Sequence, residues 1–235
     1  MTDLRGAKYR HEIKYQLSFA EAAVLRSRFS LFMKKDSHVN NGGYYTVRSL
    51  YFDDLNNSAY TEKMNGVPSR QKYRIRTYEG SDSVIMLERK IKEGSYVYKQ
   101  SARLTRAQVG LIQNGQTLFL AKAPEPLFNI LYFEMATRLL RPKLIVEYER
   151  EPFVYSAGDV RITFDTDIRA CLASNDLFAA SSPMVSALSP GRLVMEVKYT
   201  QFLPTLIRDL LPDHSADLLA VSKYVACCDA ANYKQ

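Results

Sequence analysis

The sequence predicts an α+β fold on a mainly antiparallel sheet, and three observations predict it. Several segments alternate charged and apolar residues with period two, the mark of strands with two chemically distinct faces. About eight such segments occur with few helices between consecutive ones, which favours antiparallel pairing over crossover connections. The chain has 235 residues, 46% of them apolar, with 16 Tyr and 11 Phe. That suffices for a sizeable core and excludes a disordered chain. No internal repeat or linker-like stretch divides it, so one domain over residues 1–235 is expected.

The first strand spans Lys8 to Leu17, with Lys8, Arg10, Glu12, Lys14 and Gln16 on one face and Tyr9, His11, Ile13, Tyr15 and Leu17 on the other. Ser18 and Glu21 form a capping-box pattern that opens a helix through about Phe32. Val47 to Asp53, rich in β-branched and aromatic residues, is a strand, followed by an Asn/Asp-rich turn at Asp54 to Ser58. Ser69 to Tyr78 places Arg70, Lys72, Arg74 and Arg76 on one face. Val84 to Lys92 sets Glu88 and Lys90 opposite Ile85, Leu87 and Ile91, and a turn at Glu93-Gly94-Ser95 leads into Tyr96 to Leu104, which carries Lys99.

Thr105 with Gln108 caps a short helix, and Pro124 and Pro126 precede an apolar helix to about Leu140. Lys143 to Glu151 and Arg161 to Asp167 are further strands, Ala173 to Pro190 is an irregular connection, and Leu193 to Tyr199 is the last strand. Two helical segments follow, ending near Ala231.

Composition removes several function classes. Cys171, Cys227 and Cys228 are odd in number and two are adjacent, against a disulfide framework and against zinc spacing; they read as buried thiols. His11, His38 and His214 are too few for a histidine-rich metal site or a Ser-His-Asp triad, and His11 lies on an apolar face. The Gly110 to Thr117 segment has Gln116 where a P-loop needs lysine, so it reads as a helix end with a glycine cap. No Gly-x-Gly occurs, which removes the dinucleotide fingerprint. No signal peptide and no apolar run long enough to span a membrane is visible, so a cytoplasmic protein is expected.

The chain carries 32 Lys+Arg against 25 Asp+Glu, a formal charge of +7. The excess suggests an anionic partner without naming it; the placement of the charges says more. Glu12 and Lys14, Arg74 and Arg76, Glu88 and Lys90, and Glu196 and Lys198 each put two charges at i, i+2 on one strand face. For any single strand such a face is ordinarily solvated. Recurrence over several strands argues otherwise, because like charges stacked across a sheet destabilise it unless an anion neutralises them. Closing the sheet into a barrel resolves this, with apolar residues outward against helices and cations lining a lumen whose contents are strongly anionic. Arginine suits bidentate phosphate contacts, and interspersed glutamates suit Mg²⁺ or Mn²⁺ bound partly through substrate phosphates.

An ordered set of motifs then resembles the polyphosphate-polymerase, or vacuolar transporter chaperone (VTC), domain of the triphosphate tunnel metalloenzyme (CYTH-like) superfamily. The motifs are Tyr9 to Tyr15 (YRHEIKY), Ser49 to Asp53 (SLYFD), Lys72 to Tyr78 (KYRIRTY), Leu87 to Lys90 (LERK), Glu147 to Arg150 (EYER), Val160 to Asp167 (VRITFDTD), Met195 to Tyr199 (MEVKY) and Ser222 to Tyr224 (SKY). The resemblance implies an eight-stranded antiparallel β-barrel, the triphosphate tunnel, with flanking helices. It also implies transfer of the γ-phosphoryl group of ATP to a phosphate or growing polyphosphate end, assisted by Mn²⁺ or Mg²⁺. By position, Lys14, Arg74, Arg76, Lys90, Lys99, Arg150 and Arg161 resemble the phosphate-binding wall, Glu196 the metal-binding glutamate and Lys223 a lysine near the tunnel end. Arg10, Glu12, Glu88 and Lys198 follow by parity on the same strands.

Two departures matter. Triphosphatases and class IV cyclases of the superfamily open with Glu-x-Glu-x-Lys, whereas here Arg10 stands at the first glutamate, leaving Glu12 and Lys14. One carboxylate fewer favours the VTC branch over a two-metal hydrolase. Eukaryotic members of that branch also carry a phosphate-sensing domain and a membrane domain. The chain resembles stand-alone bacterial members instead, so a separate membrane-protein partner would have to receive the product. A tunnel triphosphatase and a non-catalytic module binding polyphosphate or nucleotide are the alternatives. Specific nucleic-acid binding is not expected, because the aromatics fall on apolar strand faces rather than among the cations. Removing Arg74 or Arg76 is expected to abolish turnover with little loss of folding, since it relieves crowding of like charges.

Overall fold

A computed structural model describes residues 10–36, 39–40, 42–94, 96–171, 174–179, 181–212 and 222–232. Lys8, Tyr9, His38, Ser95, Ala173 and His214, named in the expectations above, lie outside the described residues. The elements in chain order are β1 (His11–Ser18), α1 (Phe19–Phe29), β2 (Lys34–Lys35), β3 (Tyr45–Asp53), α2 (Ser58–Met64), β4 (Ser69–Tyr78), β5 (Ser81–Glu93), β6 (Tyr96–Leu104), α3 (Arg106–Gln113), α4 (Leu118–Lys122), α5 (Pro126–Thr137), β7 (Arg141–Tyr155), β8 (Val160–Cys171), β9 (Val185–Ser186), β10 (Arg192–Tyr199), α6 (Thr205–Arg208) and α7 (Lys223–Asn232).

Local chemistry accounts for many boundaries. Ser18 and Glu21 make the capping box reciprocally, the Ser18 amide donating to the Glu21 carboxylate at 2.7 Å and the Glu21 amide to Ser18 Oγ at 3.2 Å. Thr105 and Gln108 repeat it at α3. That helix ends at Gln113 with Gly115 at φ 75°, so the near P-loop is the glycine-terminated helix end that was expected. The β4–β5 hairpin turns through Glu79 (φ 52°) and Gly80 (φ 63°), two successive left-handed residues of the kind that match strand twist in two-residue turns.

The strands form one antiparallel sheet in the order β1-β10-β8-β7-β3-β4-β5-β6, with β2 and β9 added at the side. The sheet curls until its edge strands meet. Among the described residues they meet at a single bridge, Arg10 with Val97, so the barrel is a curled sheet pinned at one point rather than closed by a full ladder.

The convex face carries the apolar parity. Tyr73, Ile75, Ile85 and Leu87 pack under α3, α4 and α5, and Tyr15, Leu17, Ile162, Phe164, Met195 and Val197 pack with α1 and α6. The concave face is mixed, which parity alone did not anticipate. Val47, Tyr51, Val146, Tyr148, Ile168, Ala170 and Val194 form a third cluster with Tyr224, Val225, Cys227 and Cys228 of α7, so this helix fills part of the lumen. All three cysteines are buried and free. His11 stacks on Tyr199 at 4.8 Å in a packing role. No helix among the described residues is long and apolar enough to cross a membrane.

Candidate functional site

The part of the lumen that α7 leaves open is a cavity of about 400 Å³. Strand parity aims most of its wall. From β1 come Glu12 and Lys14, from β10 Glu196 and Lys198, from β7 Tyr148 and Arg150, from β3 Tyr51, from β4 Arg70, Lys72, Arg74 and Arg76, and from β5 Lys90 and Lys92. The start of α7 adds Lys223 and Tyr224 beside Ser222, and α2 adds Lys63.

Of the residues singled out in the sequence, Glu12, Lys14, Arg74, Arg76, Lys90, Arg150, Glu196, Lys198 and Lys223 converge on this cavity. Glu88 lies just behind the wall at 2% exposure, held by Arg74 (2.6 Å), Lys99 (2.7 Å) and Arg76 (3.7 Å). Arg161 and Arg10 are not among the residues lining this cavity: Arg161, on the same strand face as Asp165, pairs with Asp36 at 2.6 Å and donates to the Tyr45 hydroxyl, and Arg10 pairs with Asp159 at 3.2 Å.

Two buried carboxylates organise the cations. Asp165 on β8 accepts from Arg150 Nε and Nη2, both at 2.7 Å, and sits 2.6 Å from Lys223 Nζ. Glu196 meets Lys14 and Lys198 at 3.0 Å, Lys223 at 3.2 Å and Arg150 at 3.4 Å. Glu12 joins through Lys14 (3.1 Å) and Lys90 (2.6 Å). Burial alone would raise these carboxyls, but Lys14 and its neighbours overcome it and hold Glu12 and Glu196 below the usual carboxylate range, as Arg150 and Lys223 do for Asp165.

Lys63, Arg70, Lys72 and Lys92 differ. None forms an ion pair among the described residues; Arg70 bonds the Val67 carbonyl, and Lys72 reaches Ser222 Oγ at 3.3 Å and lies 4.9 Å from the Tyr224 ring centre. Burial, then neighbouring cations, lowers Lys72 to about 7 and Lys63 to about 8, and burial lowers Arg70 and Lys92 in the same direction. Arg70 and Lys72 are visible in the sequence on the face of Arg74 and Arg76, although no motif role pointed to them. Lys92 shares parity with Glu88 and Lys90, and Asp165 shares parity with Arg161. Lys63 sits on α2, past the turn read at Asp54 to Ser58, where the sequence reading assigns no element.

Among the described residues no three His, Cys, Asp or Glu side chains cluster to cage a metal. Glu12 and Glu196 nevertheless both place an oxygen on the Lys14 ammonium and are held ionised. That donor set fits a hard divalent ion that takes one or two carboxylates and completes its shell with substrate phosphates.

A curled antiparallel sheet around a cation-lined cavity defines a tunnel protein for polyanionic ligands. The VTC domain family model matches residues 9–232, and the chain belongs to that family, the branch of the triphosphate tunnel superfamily that its motifs resemble. Among solved structures, a candidate adenylate cyclase from Bacillus halodurans shares the fold with TM-score 0.50, 13% identity and 83% of each chain covered. A Hippeastrum protein described as a candidate adenylyl cyclase with a dominant triphosphatase activity is similar at TM-score 0.46 and 12% identity, over 83% of this chain and 80% of that one. The PH1819 protein of Pyrococcus horikoshii follows at TM-score 0.48 and 11% identity, over 94% and 98%. No curated protein matches the chain in sequence.

Proposed function

We propose that the protein is a polyphosphate polymerase-like phosphotransferase, which moves the γ-phosphoryl group of ATP onto a phosphate or polyphosphate end. The observation that carries this reading is the state of its arginines. Arg150 is held by Asp165 through Nε and Nη2, and Nη2 also reaches Glu196 at 3.4 Å, which fixes the guanidinium at the cavity wall. Arg76 Nε is buried without a hydrogen-bond partner. That donor stands 3.7 Å from Glu88; a buried guanidinium short of acceptors at a cavity wall is costly, and phosphate oxygens are acceptors that suit it.

In the reaction, an oxygen of the acceptor's terminal phosphate attacks the γ-phosphorus, the bond to the β-phosphate oxygen breaks, and ADP leaves with the electron pair. Ionised phosphate needs no base, which agrees with a wall that carries no histidine or cysteine among the described residues. Catalysis is alignment and neutralisation of spreading oxyanion charge, the work of Arg74, Arg76, Arg150, Lys14 and Lys223. A bound Mn²⁺ or Mg²⁺, with Glu196 and Glu12 as its protein ligands, would neutralise charge on the phosphate oxygens. Arg10 pairs with Asp159, and among the described residues Glu12 is the carboxylate that β1 brings to the cavity, a poorer match to a two-metal hydrolase.

Incubation with ATP and Mn²⁺ or Mg²⁺ tests the reading. Polyphosphate and ADP are expected together; orthophosphate without chain growth would make the protein a tunnel triphosphatase, and tight phosphate-chain binding without turnover would make it a binding module.

A further inference from the structure

The helices on the convex face, away from the lumen, carry an apolar surface of their own. α5 buries Leu127, Phe128 and Leu131 in the core beneath it, yet its outward side is apolar as well. Ile130, Phe133 and Ala136 follow one another at helical spacing, and Phe133 is 64% exposed. On α4, which packs beside α5 through Phe119 and Phe128, Leu118 is 68% exposed. A helix that is apolar on all sides belongs in a core or at an interface, and large apolar side chains left together in water mark a contact surface. Leu139 is a second and independent sign. It stands just past α5, 53% exposed and at φ 54°, in the left-handed position where glycine or asparagine ordinarily ends a helix. A leucine there carries backbone strain while half its surface stays in water, a cost that contact with an apolar phase outside the chain offsets.

The charges around these side chains have one sign. From Leu118 to Arg141 the exposed charged residues are Lys122, Arg138 and Arg141, all cations. The two carboxylates of that stretch are partly buried and occupied: Glu125 caps α5 at the Leu127 amide, and Glu134 accepts from Gln71 and pairs with Arg138 at 3.4 Å. Arg138 is also shared with Asp54 at 3.5 Å, so Lys122 and Arg141 carry most of the outward charge.

We propose that α4, α5 and Leu139 form a docking face for an anionic lipid bilayer. Leu118, Phe133 and Leu139 enter the headgroup layer, and Lys122 and Arg141 lie against the lipid charges. Charge selects this occupant. A second copy docked through the same face about a two-fold axis would bring one cationic rim against another, whereas an anionic surface turns the same cations into attraction. The inference stands apart from the polymerase-like reading, since the lumen lies on the opposite face of the sheet from α5.

The chain contains no tryptophan, so Phe133→Trp places a single fluorescent reporter on this face. With vesicles of phosphatidylcholine and phosphatidylserine its emission should shift to the blue and the protein should float with the lipid. Affinity for vesicles of phosphatidylcholine alone should be about tenfold lower, and added salt should weaken the anionic binding. In the otherwise unaltered chain, Lys122→Gln/Arg141→Gln should lower affinity for the anionic vesicles about tenfold and Leu118→Ser/Phe133→Ser at least as much, with the thermal midpoint and tripolyphosphate affinity of the parent kept in both. An unshifted tryptophan, no flotation, or binding that survives both double variants would overturn the docking face. So would vesicle binding that saturating tripolyphosphate abolishes, which would place the lipid contact at the lumen cations. A concentration-dependent dimer in sedimentation that Leu118→Ser/Phe133→Ser disrupts, in place of vesicle binding, would assign the face to a second copy instead.

Discussion

Lys14 on β1 and Glu196 on β10 are register partners whose Nζ and Oε1 lie 3.0 Å apart, and neither is committed to the other alone. Glu196 also faces Lys198, Lys223 and Arg150, so it is the shared counter-charge of a buried group of cations. Glu196→Gln keeps the shape and removes that charge. A loss of about 3–5 kcal/mol in denaturant-measured stability is expected, as for breaking a buried pair, together with loss of phosphoryl transfer. Saturating tripolyphosphate should restore part of the stability by binding the native state. An unchanged denaturation midpoint without ligand would show that Glu196 does not hold these cations.

Arg74 and Arg76 should separate in stability. Arg74 is 2.6 Å from the buried Glu88 carboxylate and donates to the Tyr51 hydroxyl at 2.8 Å, whereas Arg76 stands 3.7 Å from the same carboxylate. Relief from crowding is therefore expected for Arg76→Ala and not for Arg74→Ala, which strips Glu88 of its nearest guanidinium. Arg74→Ala is expected to cost roughly 2–4 kcal/mol and Arg76→Ala less than about 1 kcal/mol, with turnover lost in both. Equal denaturation midpoints for the two variants would contradict this assignment of partners.

Period two makes the cavity wall legible in the sequence itself. Arg74 with Arg76, Glu88 with Lys90 and Glu196 with Lys198 keep the parity read from their strands, because one register fixes every side chain of a strand. The helix starts at Ser18 and Thr105 are legible for a similar reason, their caps lying within the segment itself. α2 is not. Its Asn57 is left-handed and gives no side-chain cap, while Asp54 and Asp53, upstream in the chain, accept from the Ser58 and Ala59 amides. The place of α7 inside the lumen is also hidden: its short Val-Ala-Cys-Cys run carries no stripe that distinguishes a concave from a convex neighbour. Which carboxylate serves which cation, as Asp165 serves Arg150, depends on curvature that no local pattern encodes.

Lys72 gives the ligand-free protein a defined response to pH. Its basicity is depressed by burial and by Lys14 and Arg70, to about 7, below the ordinary lysine range it has when unfolded. Between those values the unfolded chain binds a proton that the native state does not, so this group's contribution to stability rises with pH from about 7 towards 10. Lys63, lowered to about 8, acts in the same direction over a narrower window. A phosphate chain favours the charged form, so binding near pH 8 should take up protons. Titration calorimetry in buffers of different ionisation enthalpy reads that uptake, and Lys72→Gln should reduce it. Uptake equal in the variant and the parent would remove Lys72 from the anion's surroundings.

Tyr224 connects the lumen-filling helix to the wall. Its hydroxyl donates to Asp53 Oδ2 at 2.5 Å, its ring stacks on Tyr51 at 5.2 Å, and Lys72 Nζ lies 4.9 Å from the ring centre. Asp53 meanwhile accepts from the amides of Asp54, Ala59 and Tyr60, so one carboxylate ties β3, α2 and α7 together. Tyr224→Phe keeps the stacking and deletes the tie. It should cost about 1–3 kcal/mol and speed hydrogen exchange of α7 amides more than those of α3, which packs on the convex face. Tyr224→Leu removes the ring as well and should add a loss of tripolyphosphate affinity, because Lys72 loses the surface it rests on. Uniform acceleration across α3 and α7 in Tyr224→Phe would mean that the hydroxyl contributes only to global stability and does not fasten α7 in the lumen.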